Sequence, residues 1–319
     1  MSEPGGAAAS GPRDEGRRRH PAPPVASEPS STDALSAFEP VLEAAPVTDP
    51  WRHAHGEPAR YGPDYDLLGD LLSVPVAAGA AVVSGRFARG VDSWLAHELR
   101  RAGFGADEVW PRVTRPRVLS RELAVLLERL PGPLAAEVRR RIAGMPSVSP
   151  TDARVLGRAY EKQVDVCIAR WDRGPELMVS TKAQLSSFGK NLPNRFEEAY
   201  GDAANLRSRY PLAAVGFFFV QRATVRIVEP DAYERTMDMM RKLRDIGAGS
   251  GYTTTGLLLV DWDDPVTAQT KVRVLPELVP DDVAPPQFFT TLVDTVLAVT
   301  PVQYHLEARR RRERRDIPV

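Results

Sequence analysis

The sequence predicts an α/β (α+β) protein: a mixed sheet flanked by helices, preceded by a small helical domain. Three observations predict it. Two short apolar strands, over 164–171 and 176–182, are joined by the turn sequence DRGP. A long helix with one polar face follows, over about 191–209. The run LAAVGFFFVQ, residues 212–221, then reads as a central strand covered on both faces.

Composition narrows the functional classes. The 319 residues carry 42 basic and 42 acidic side chains, a formal net charge of +0. A globally basic surface is excluded, so any nucleic-acid binding must rest on local clusters of Lys and Arg. With 43% hydrophobic and 26% charged residues, the chain suits one or two globular domains. Cys167 is the single cysteine, which excludes an internal disulfide. With no nearby His it also argues against a Cys-based zinc site. It is expected as a buried strand residue in a cytoplasmic protein. The five histidines are scattered at 20, 53, 55, 97 and 305, which disfavours a His-based metal set. No run approaches the ~20 apolar residues of a membrane span, so no membrane association is expected.

In chain order, residues 1–60 are rich in Pro, Ala, Gly, Ser and Glu and are expected to form a disordered tail. Residues 61–146 form the helical domain, with apolar periodicity over 92–102, 118–130 and 133–143 and Ser120 as an N-cap. Between the first two helices lies EVWPRVTRPRVL. Arg112, Arg115 and Arg117 beside Trp110 are either a basic loop for a DNA backbone or a plain connection with Trp110 packed inside. The core spans 147–307. A helix is expected over about 151–163, burying Val155, Leu156, Ala159 and Tyr160, and the two strands follow it. After the central strand come a helix over 229–246, strands near 252–261 and 272–275, and a closing helix over 287–299. GAGSG at 247–251 sits after a helix and before a strand, the reverse of a phosphate loop. Residues 308–319, with RRRRERR, are expected to be a basic tail.

The core order places Asp165 in its first strand and Lys182 at the end of the second. This arrangement resembles the PD-(D/E)XK superfamily, the restriction-endonuclease-like fold, over residues 151–228. The resemblance implies a metal-dependent DNA endonuclease that hydrolyses phosphodiester bonds, in restriction or defence against foreign DNA. It implies that Asp165 holds Mg2+ (or Mn2+), that Lys182 orients or activates the attacking water, and that Glu161 is the assisting helix acid. The family has an acid two residues before the Lys, where this chain has Ser180. Glu161 or Glu198 then supplies the second metal carboxylate, or the fold binds DNA without cutting it. Directly after Lys182, SSFGKN…NR is similar to segments of bacterial restriction-type proteins. Ser186, Ser187, Lys190, Asn191, Asn194 and Arg195 read as a DNA-backbone clamp in which Gly189 permits close approach. The acidic turn with Asp261, Asp263 and Asp264 offers a rival metal cluster. DNA is the expected partner, with a second copy of the chain or a defence-complex protein as open protein partners.

Overall fold

A computed structural model describes residues 33–79, 85–190, 192–244, 247 and 249–314, and residues from Asp33 onward form one compact unit. The ordered chain begins well before the boundary at 60 that composition suggests. Short helix α1 (Glu39–Ala44) and the strand pair β1 (Trp51–Arg52) and β2 (Arg60–Tyr61) follow a 3-10 turn. The few apolar residues here are well spaced. Phe38, Leu42, Trp51 and Tyr61 all enter the core, and Tyr61 stacks on Phe289 at 4.8 Å.

The helical region is likewise no separate domain. Helices α2 (Tyr65–Ala77) and α3 (Arg86–Arg101) pack on one face of the central sheet, and their buried side chains share a cluster with Val166, Val179, Phe218 and Leu258. Strand β3 (Val109–Trp110) even joins the sheet as an edge. Only α4 (Arg121–Arg129) and α5 (Gly132–Ile142) keep a small core of their own, around Leu119, Leu127 and Ile142. Ser120 caps α4 as its sequence suggests, accepting from the Leu123 N–H at 3.4 Å.

The expected helix over 151–163 is instead a hairpin, β4 (Ala153–Leu156) and β5 (Glu161–Val164). Its apolar residues suit either period over so short a run. Asn205 decides the outcome: its side chain accepts from Ala159 N–H at 2.8 Å and donates to the Tyr160 carbonyl at 3.0 Å. Gly157 lets that side chain lie against the turn, because a Cβ there would stand 2.4 Å from the Asn205 Cγ. Alternation then buries Ala153 and Val155 and exposes Arg154 and Leu156.

The remaining elements follow the sequence closely, apart from the helices at Val225–Val228 and Leu306–Glu313, which it does not predict. They are β6 (Val166–Arg170), β7 (Gly174–Gln184), α6 (Leu192–Arg207), β8 (Ala214–Arg222), α7 (Val225–Val228), α8 (Pro230–Lys242), β9 (Thr254–Asp261), β10 (Arg273–Val274), α9 (Pro285–Val299) and α10 (Leu306–Glu313). The sheet order is β10-β9-β8-β7-β6-β3. β7, β8 and β9 are parallel, and the outer pairings are antiparallel. The connection from β7 to its parallel neighbour β8 runs through α6, as a parallel crossover requires. α6 and α8 cover the face that carries Cys167, Met178, Phe217 and Phe219; α2, α3 and α9 cover the other. Cys167 is fully buried, and burial followed by the nearby Glu176 charge pushes its thiol up to about 12.

The basic C-terminal stretch is also structured as far as Arg314. Arg309 is buried and donates to the carbonyls of Leu297, Thr300 and Tyr304 at 2.7–3.1 Å. Arg311 donates to the Arg101 carbonyl at 2.6 Å. These arginines satisfy carbonyls at the C-terminal ends of α9 and α3, where positive charge is favoured. A run of Arg therefore becomes a docked helix instead of a solvated arm. Among the described residues no helix is long and apolar enough to cross a membrane.

Candidate active site

The site forms where β7 runs past the start of β6. A bend at Asp165 separates β5 from β6 and leaves its carboxylate beside β7. Its Oδ2 accepts the Thr181 N–H at 2.8 Å, and its own N–H donates to the Val179 carbonyl at 3.0 Å. Asp165 and Lys182 line one cavity of about 260 Å³, together with Lys162, Ser180, Thr181 and Asp202. The expected Asp and Lys thus converge.

The two candidate second acids lie apart from Asp165's hydrogen bonds. Glu161 opens β5, is exposed, and pairs with Arg154 at 3.1 Å, because the helix meant to carry it is a strand. Glu198, on α6, lies 3.3 Å from the Lys182 ammonium and 3.6 Å from that of Lys162. Burial alone would raise its carboxyl, but the two lysines outweigh burial and hold it below its ordinary range. Glu198 is thus held by two lysines in this structure. Lys162 in turn pairs with Asp202, which also accepts from the Tyr160 hydroxyl at 2.9 Å.

A further buried carboxylate, Asp92, shares Thr181 with Asp165. It lies on α3, is 1% exposed, and its Oδ1 accepts from the Thr181 hydroxyl at 2.6 Å. Thr181 thus holds both carboxylates, Asp165 by its N–H and Asp92 by its hydroxyl. Burial, then the Asp165 charge, pushes Asp92 well above the ordinary carboxylate range. Burial likewise raises Asp165, partly offset by the Thr181 N–H, Arg89, Lys182 and Lys162. Arg89, one turn before Asp92, lies 3.5 Å from it and 2.5 Å from Asp152. The sequence held one sign of this: Asp92 falls three and seven residues before Leu95 and Leu99, on the apolar stripe of its helix. Thr181 and Arg89 carried no such sign.

Magnesium takes one or two carboxylates, with waters and substrate phosphate completing its shell. Asp92 and Asp165 supply two hard-oxygen donors, and Asp165 Oδ1 takes no hydrogen bond among the described residues. On donor chemistry this pair fits Mg2+ or Mn2+, although no group of three or more acidic, His or Cys side chains suited to a metal occurs among the described residues. Ser180, two residues before Lys182, is buried on β7 and brings no charge to the site. The acidic turn at 261–264 fits less well. Arg222 pairs with Asp261 at 3.0 Å and Asp264 at 2.6 Å, and Arg273 pairs with Asp263 at 3.0 Å.

The expected DNA clamp divides. Ser186 and Arg195 line a second cavity, of about 420 Å³, that also touches Thr181 and Lys182. Ser187, Lys190 and Asn194 are exposed; Asn191 lies outside the described residues. The backbone N–H groups of Phe188 and Gly189 are already taken, donating to the Glu229 carboxylate at 2.9 and 2.6 Å. The close approach that Gly189 permits is to Glu229, whose Oε2 would stand 2.8 Å from a Cβ. Arg112, Arg115 and Arg117 point inward as well, to Asp107, Asp33 and Glu39, while Trp110 donates to the Leu119 carbonyl at 2.9 Å. That loop is a connection that fastens the N-terminal segment. A larger cavity, about 740 Å³, lies elsewhere, against α2, where Asp64 caps the helix and Asp70 pairs with Lys271 at 3.1 Å.

No known family model, curated protein or solved structure matches this chain.

Proposed function

We propose that the protein is a metal-dependent DNA endonuclease of restriction-endonuclease-like fold, acting in defence against foreign DNA, with Asp165, Asp92 and Lys182 as its working groups. The observation that carries the reading is that Thr181 hydrogen-bonds both Asp165 and Asp92 while Asp165 shares one cavity with Lys182, at the open end of a mixed sheet. Asp92 and Asp165 would hold the cation. A bound Mg2+ supplies Lewis-acid stabilisation of the phosphoryl oxygen and lowers the pKa of its water. Lys182, paired with Glu198, stabilises charge that develops on the phosphate. Thr181 fixes both carboxylates so that neither reorganises when substrate arrives.

The test is plasmid nicking by the full chain with Mg2+ or Mn2+. Asp165→Ala, Asp92→Ala and Lys182→Ala each reduce the rate by ~10²–10³-fold if these groups stabilise the transition state. Cutting that persists in all three rejects the assignment. Two features favour a second reading, DNA binding without cleavage: Ser180 at the acid position and Arg89 among the aspartates. Steeply salt-dependent binding with no nicking supports that reading.

A further inference from the structure

β7 outruns its antiparallel partner. β6 pairs with it only as far as Val166 opposite Val179, while β7 continues to Gln184 with β8 along its other edge. Residues 180–184 therefore have one strand neighbour and one open edge. Thr181 turns its N–H to that edge, and strand alternation gives Ala183 the same orientation. α3 and α6 cover opposite faces of the sheet, and the cavity of about 420 Å³ lies at this notch. That size is within the ~300–1,000 Å³ of small-molecule sites.

Its walls have two characters. Ala88, Ala183 and Leu185 are apolar, while Lys182, Arg195 and Ser186 are cationic or hydroxylic. Arg195 is half-buried, and among the described residues no carboxylate pairs with it. The buried Arg101, Arg117 and Arg309 each donate to carboxylates or carbonyls. A half-enclosed guanidinium without a counter-charge favours an arriving anion. Lys182 and Thr181 are common to this cavity and the acidic one, so an occupant here adjoins the proposed scissile phosphate.

We propose that this cavity receives one nucleotide of an unpaired DNA strand. Its phosphate lies between Arg195 and Lys182, and its base rests on the apolar wall. This deepens the nuclease reading and rests on it for the choice of DNA. A base inside the notch has left its stack and its Watson–Crick partner. The substrate is then a single strand, a frayed end or a displaced strand, in preference to closed duplex.

Calorimetric titration of the full chain with thymidine 5′-monophosphate, thymidine and inorganic phosphate tests this without any cleavage. The monophosphate binds about tenfold more tightly than either fragment, and Arg195→Ala weakens it about tenfold. Ala88→Trp, which fills the cavity without touching a charge, abolishes binding with an unchanged melting temperature. Monophosphate binding no tighter than phosphate overturns the proposal, as does wild-type affinity in Arg195→Ala or in folded Ala88→Trp. Should Ala88→Trp fail to fold, the ligand comparison and Arg195→Ala still decide. A chain that binds the monophosphate but never cuts DNA defeats only the nuclease reading. One that cuts duplex but ignores the monophosphate defeats only this inference.

Discussion

Arg309 in the C-terminal helix and Asp165 at the open end of β7 are both charged and both largely enclosed, and their surroundings differ. Arg309 meets carbonyl oxygens of Leu297, Thr300 and Tyr304. Asp165 meets one N–H and the like charge of a second carboxylate, Asp92, which Arg89, Lys182 and Lys162 only partly offset. The first arrangement satisfies a charge and fixes a helix. The second keeps two like charges together, which favours the unfolded chain unless a cation joins them. Such unresolved charge is common at functional sites.

Substitutions at four positions sharpen that contrast. Arg309→Ala orphans several carbonyls and is expected to cost about 3 kcal/mol in chemical denaturation; a change within error would mean that α10 is not fastened by it. Arg89→Ala removes the resident positive charge near Asp92 and should raise Mn2+ affinity about tenfold by calorimetry, with Arg89→Lys between the two. Weaker Mn2+ binding in Arg89→Ala would instead make Arg89 a support of the site.

Asp165→Asn should raise the melting temperature at pH 7.5 by about 3 °C, the response of a domain of this size to roughly 1 kcal/mol. The folded carboxyl titrates above its ordinary 3.8. Below that value both states are protonated. As pH rises, the unfolded chain ionises first while the folded chain keeps its proton, so stability falls until the folded group has ionised too. The Asn variant should lose this slope above pH 4. Asp263→Ala, at an exposed pair with Arg273, should leave Mn2+ affinity unchanged.

The sheet was legible in the sequence because its signals are local. The DRGP turn, the alternation of 164–171 and the apolar run of β8 each state their structure within a few residues. Asp165 and Lys182 were legible for the same reason. The hairpin at 153–164 was not, since Asn205, some 45 residues away, determines it. Asp92 was hidden by distance too: its partner Thr181 lies 89 residues on. Charge runs misled in both directions. The Arg309–Arg312 stretch and the Arg112–Arg117 loop looked solvated or DNA-facing, yet their partners are carbonyls and acids, some from elements far along the chain.

The central claim is that Asp92 and Asp165 form one cation site. Calorimetric titration of Mn2+ into the wild type and into the Asp92→Asn, Asp165→Asn double variant tests it most directly. The account predicts one Mn2+ per wild-type chain and none for the folded double variant. Equal binding by both proteins, or no binding by the wild type even with DNA present, would contradict it.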